Sequence, residues 1–148
     1  MEKIFVLCLL MFIIFSCPTE NAMIRKAKKH ETVDLSEFID EDFDDVYIVD
    51  ANWYISDFIK NIAGDYNAET YDYWGAQKIY FVKDNMIIKQ INCRYYISEP
   101  DRRDYIRFIM PSKVKYIKRS KENTCFTCAH VDELTNGFKK YCFRSVCE

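Results

Sequence analysis

Glycine is scarce in this 148-residue chain, occurring only at Gly64, Gly75 and Gly137. That shortage excludes a glycine-rich phosphate cradle of the P-loop or dinucleotide-binding type. Histidine occurs twice, at His30 and His130, and proline three times. Neither H-E-x-x-H nor G-x-S-x-G is present, which removes the common signatures of helical zinc hydrolases and serine hydrolases. No stretch after residue 15 is apolar enough to span a membrane.

What is present begins with "MEKIFVLCLLMFIIFSCPTENA". Lys3 supplies a basic start, Ile4 to Phe15 form an uncharged apolar run, and a polar segment with Pro18 follows. This pattern reads as a secretory signal peptide over residues 1–22. Cleavage after Ala22 suits a small side chain. Cleavage after Ser16 competes, and would leave Cys17 at the new N-terminus as a bacterial lipoprotein signal does. The expected product is secreted and extracellular, with no stable membrane insertion and one domain's worth of chain.

The formal net charge is only −2, but the charges are segregated. Arg25, Lys26, Lys28 and Lys29 sit together without an acid, and residues 31–72 then hold thirteen acids against Lys60 alone. Residues 23–45 therefore read as a flexible arm, basic and then acidic, ahead of a domain over 46–148. The C-terminal half is basic. Arg102, Arg103, Arg107, Lys113, Lys115, Lys118 and Arg119 are candidates for a glycosaminoglycan, another polyanion or a membrane surface, as in a non-inhibitory secreted immune or host-interaction factor. The plainer expectation, and the favoured one, is that the acidic front and basic back neutralise each other when folded.

Hydrophobic periodicity organises the rest. "VYIV" (46–49) is a short strand, and Asp50 is placed to N-cap a helix. Ala51, Ile55, Phe58, Ile62 and Tyr66 share one face of that helix over about 51–68. The period then changes to two. "KIYFV" (78–82), "MIIKQINCRYYI" (86–97), "DYIRFIM" (104–110) and "VKYIK" (114–118) read as strands, with Asp84-Asn85 as a turn. Asn136-Gly137 marks a terminal hairpin. The expected fold is α+β, one long helix packed across a curved antiparallel sheet.

Three stretches carry a family resemblance. They are "ISDFIKNIAGDYNAET", "IIKQINCRYYI" with its closing tyrosines, and four cysteines near the C-terminus. Together they resemble the cystatin superfamily, secreted inhibitors of papain-like cysteine proteases that include the cathelicidin propieces. The resemblance implies a protein partner, a cysteine protease, contacted by a hairpin at Ile88, Lys89, Gln90, Ile91 and Asn92 and by the Asn136-Gly137 turn. The chain departs from the inhibitory pattern in three respects: the first Gln and the Gly of Q-x-V-x-G, the trunk glycine, and the Pro-Trp wedge are all missing. The cysteine spacings also differ from the family's.

Cys125, Cys128, Cys142 and Cys147 admit two readings. As thiolates beside His130 they have metal-site spacing. In an oxidising compartment the same spacing favours a disulfide framework, and no metal or other cofactor is expected. The hairpin favours Cys125–Cys147 with Cys128–Cys142 over neighbour pairing, and Cys93 is left as a small buried hydrophobe. A ribonuclease-like reading would use His30, His130 and Lys118. The balance of these features points away from an enzyme and toward a secreted domain that works by binding a protein.

Overall fold

The computed structural model describes residues 18–50, 77–93, 104–112, 114, 116–135 and 137–146. A helix opens this part of the chain, α1 (Pro18–Lys28). Proline in a first turn loses no intrahelical bond, and Glu20 near the start with Arg25, Lys26 and Lys28 near the end complement the helix dipole. Met23, Ile24 and Ala27 are buried with Glu20 on one face. The helix ends when His30 donates its N–H to Ala27 O and Glu31 donates to Lys26 O, both at 3.0 Å. His30 adopts φ 58°, so it holds the left-handed closing position usually given to glycine.

Eight strands follow: β1 (Val33–Asp34), β2 (Asp45–Asp50), β3 (Gln77–Lys83), β4 (Met86–Cys93), β5 (Tyr105–Phe108), β6 (Tyr116–Ser120), β7 (Cys125–Glu133) and β8 (Lys139–Ser145). They form two four-stranded sheets, ordered β1-β7-β8-β5 and β4-β3-β2-β6. Every pairing is antiparallel except β5 with β8. Alternation places Val46, Ile48, Ile79, Phe81 and Ile91 of one sheet in a shared core with Ile106, Phe108, Phe126, Tyr141 and Phe143 of the other. Met23, Ile24 and Ala27 of α1 join that core.

Two hairpins obey local turn chemistry. Asp84 (φ 50°) and Asn85 (φ 62°) link β3 to β4, and two left-handed residues are what a type I′ turn requires. Between β7 and β8, Gly137 N–H bonds Leu134 O and Leu134 N–H bonds Phe138 O, each at 2.9 Å. Gly137 has φ 83°, the left-handed position of a three-residue hairpin loop.

The sheets are tied by one buried side chain. Phe108 N–H donates to Gln77 Oε1 at 2.7 Å, and Gln77 Nε2 donates to Phe108 O at 2.9 Å. Glu20 Oε1 accepts from Ile106 N–H at 3.2 Å. The outward backbone of β5 is thus satisfied by side chains rather than by another strand.

This architecture corrects the expected fold class. The described residues are mostly strand, arranged in two sheets with one short helix, and not one long helix across a single sheet. The helix expected over 51–68 lies outside the described residues. Residues 23–45, expected as a flexible arm, contribute Met23, Ile24, Val33, Leu35, Ile39 and Phe43 to the buried core. None of the described helices is long and apolar enough to cross a membrane.

The disulfide framework is corrected as well. No disulfide is formed by Cys93, Cys125, Cys128 or Cys142, and Cys147 lies outside the described residues. The reason for the favoured Cys128–Cys142 pair is geometric. Cys128 stands opposite Phe143, while a bulge before His130 sets His130 opposite Cys142. Cys128 packs against the core with Phe143, so Cys142, next along the strand, faces the other way.

Candidate functional site

Residues 88–92 do not form a hairpin tip. They lie along β4, the outer strand of its sheet among the described residues, paired with β3 and bulged at Ile88. Ile88 packs against the core and Ile91 is buried. Lys89 Nζ folds back to the Phe38 carbonyl, and Gln90 Nε2 donates to Asn92 Oδ1 at 2.7 Å. Met86, at the start of the strand, is 58% exposed. Gly137 lies in the β7–β8 turn of the other sheet, and Asn136 is outside the described residues.

The four strands that are outermost among the described residues differ in how their outer sides are treated. β1 has only two residues. β5 is capped by Glu20 and Gln77. Arg119 folds along β6, its Nη1 donating to Lys118 O at 3.0 Å. β4 is the longest of the four, at eight residues.

The described members of the basic cluster, Arg107, Lys118 and Arg119, are engaged. Arg107 Nη2 meets Asp50 Oδ2 at 3.0 Å, and Lys118 meets Asp45 at 2.9 Å. Lys118 also stands over the Tyr47 ring. Lys83 and Lys121 both bind Asp42, which holds that carboxyl at about 2, Lys121 contributing most. Acids of the 31–50 segment therefore neutralise bases from 83–121, as the charge segregation suggested. Arg102, Arg103, Lys113 and Lys115 lie outside the described residues.

A different group gathers on the outer face of the terminal hairpin. His130 Nε2 lies 3.7 Å from Asp132 Oδ1, and Cys142 Sγ lies 3.9 Å from Asp132 Oδ2. Ligand atoms from all three residues fall within 4.8 Å of one another. The bulge before His130 creates this meeting, because it brings the imidazole across from Cys142 while Asp132 follows one pleat later. Asp132 also accepts from Lys140 Nζ at 2.5 Å, and that ammonium holds its carboxyl below the usual range. Burial pushes the Cys142 thiol above its ordinary value, against the opposing pull of Lys140 and Arg107.

The group does not have the arrangement of a thiol nucleophile. An activated cysteine needs an imidazole between thiol and carboxylate and a depressed pKa. Here the thiol turns to the carboxylate itself and is harder to ionise. His30 is committed to closing α1. Cys125 pairs with Asp34 across β1 and β7, away from His130 along the strand. Asp132 went unremarked in the sequence; the signal for it is the H-x-D alternation at 130–132 with a cysteine across a short hairpin.

The β4 edge and the hairpin group are the two sites that the described residues build. Comparison with protein-family models, with curated proteins and with solved structures returns no match to this chain.

Proposed function

We propose that this chain is a secreted protein-binding domain, without catalysis of its own, that meets its partner along the outer edge of β4. The observation that carries this reading is the contrast among sheet edges. β5 is closed by buried side chains, whereas β4, outermost in its sheet among the described residues, carries Met86 and Lys89 exposed in its first half. An exposed strand edge recruits an extended segment of a partner through main-chain pairing, with alternate side chains giving selectivity. The bulge at Ile88 and the charge of Lys89 guard such an edge against indiscriminate pairing.

Residues 88–92 are also the ones that the cystatin resemblance marks for protease contact. Along a strand they offer a pairing edge rather than a wedge, so the partner class is a papain-like protease engaging extended chain. Polyanion binding has less support, because Arg107 and Lys118 already face Asp50 and Asp45. The test is titration of papain with the full chain. The reading expects binding and loss of protease activity at micromolar protein, weakened by Lys89→Glu. Full papain activity, with no complex at that concentration, would sink it.

A further inference from the structure

We propose that His130, Asp132 and Cys142 hold one thiophilic divalent cation, zinc in the first place, on the outer face of the β7–β8 hairpin. The site is separate from the β4 edge and stands without it.

The distances carry the proposal. Tetrahedral zinc with bonds of about 2.0 Å to imidazole nitrogen, 2.1 Å to carboxylate oxygen and 2.3 Å to sulfur has ligand–ligand edges of roughly 3.3–3.6 Å. The nitrogen–oxygen and sulfur–oxygen separations here are 3.7 and 3.9 Å. Those separations run to different oxygens of Asp132, and the three ligand atoms lie within 4.8 Å of one another, so closing the site takes side-chain movements of about an ångström, with no change of strand register. His130 and Asp132 sit on β7 and Cys142 on β8, so the hairpin ladder fixes all three. A ligand set of one nitrogen, one sulfur and one oxygen suits zinc or cadmium and suits calcium or magnesium poorly. The exposed side of His130 leaves a fourth position for water, the pattern of sites with three protein ligands.

Lys140 is the group that must give way. Its ammonium rests on Asp132 Oδ2, the oxygen nearest the thiol. A dication bound there repels it, and its flexible four-carbon stem lets it swing into solvent. Binding moves the Cys142 thiol proton to solvent and forms the thiolate–metal bond, with no redox change.

The experiment titrates the full chain, reduced and free of metal, with cadmium, following thiolate-to-metal absorption. Zinc affinity is read by competition with a chromophoric chelator. The expected result is one equivalent bound at micromolar or tighter affinity. Cys142→Ser abolishes the absorption at that equivalent, His130→Ala and Asp132→Asn weaken binding at least tenfold, and Cys128→Ser leaves it unchanged. Absorption retained in Cys142→Ser, or lost in Cys128→Ser, overturns the assignment, as does the absence of a one-to-one complex. Should Cys142→Ser not fold, Lys140→Met decides. Removing the ammonium tightens zinc several-fold if the cation sits on Asp132, and unchanged affinity refutes the placement.

Discussion

Replacing Gln77 by Leu tests whether the two sheets are held together by one amide. Gln77 is 2% exposed, and both polar atoms of its side chain are used, at 2.7 and 2.9 Å, on the same residue of β5. Ile109 N–H already bonds Phe143 O, so in the parallel β5–β8 ladder Phe108 points its own N–H and C=O away from β8. Leucine keeps the volume and leaves both groups buried without this partner. Two orphaned groups at about 1–3 kcal/mol each give a loss of about 2–6 kcal/mol, and burial of the leucine returns about 1–2 kcal/mol. At the middle of both ranges the net expectation is a loss of about 2–3 kcal/mol. With a urea slope of about 1–3 kcal/mol per molar, the unfolding midpoint falls by roughly 1 M. Far-ultraviolet circular dichroism during urea unfolding measures it. A midpoint unchanged within error would show that the tie contributes nothing and that apolar contact and the Arg107–Asp50 pair join the sheets without it.

Three further outcomes follow from the same structure. His30→Gly relieves a left-handed position and is expected to raise stability by about 0.5–1 kcal/mol, read by the same urea titration; a loss would mean that the imbalance at φ 58° is offset elsewhere. A chain beginning at Cys17 keeps α1 whole, whereas one beginning at Met23 loses Glu20 and its bond to Ile106; the shorter chain should melt lower, and equal melting temperatures would contradict a structural role for residues 18–22. Zinc affinity should rise about tenfold per pH unit between pH 6 and 8, since the Cys142 proton, held more tightly through burial, must leave. Around that thiol Asp132 and Cys128 work with burial while Lys140 and Arg107 oppose it, and a flat affinity profile would exclude thiolate ligation.

The strands were legible from short β-rich apolar runs in the sequence, although β2 and β3 are buried on both faces rather than alternately. Residues 78–82, 86–97, 104–110 and 114–118 were expected as strands, and the described residues of all four regions contain one, with 94–97 outside the described residues. Asp84-Asn85 and the Gly137 turn were legible from local chemistry. The division into two sheets was not, since it depends on pairings such as Val33 with Phe126 and Asp45 with Ser120, far apart in the chain. α1 was hidden by the apolar run before it and by its basic residues, although Pro18, Glu20 and the cations of its last turn are ordinary helix signals. The cysteine geometry turned on a single bulge between Cys128 and His130. No residue spacing in the sequence announces a bulge, and it decides which side chain meets Cys142.

The account's central claim is that β4 is the contact edge. Hydrogen exchange of the full chain, alone and with saturating papain, tests it most directly. The account predicts slowed exchange concentrated in residues 86–92, with little change in β5, whose outward amides are already bonded to Glu20 and Gln77. Unchanged exchange over 86–92, with protection elsewhere or nowhere, would contradict it.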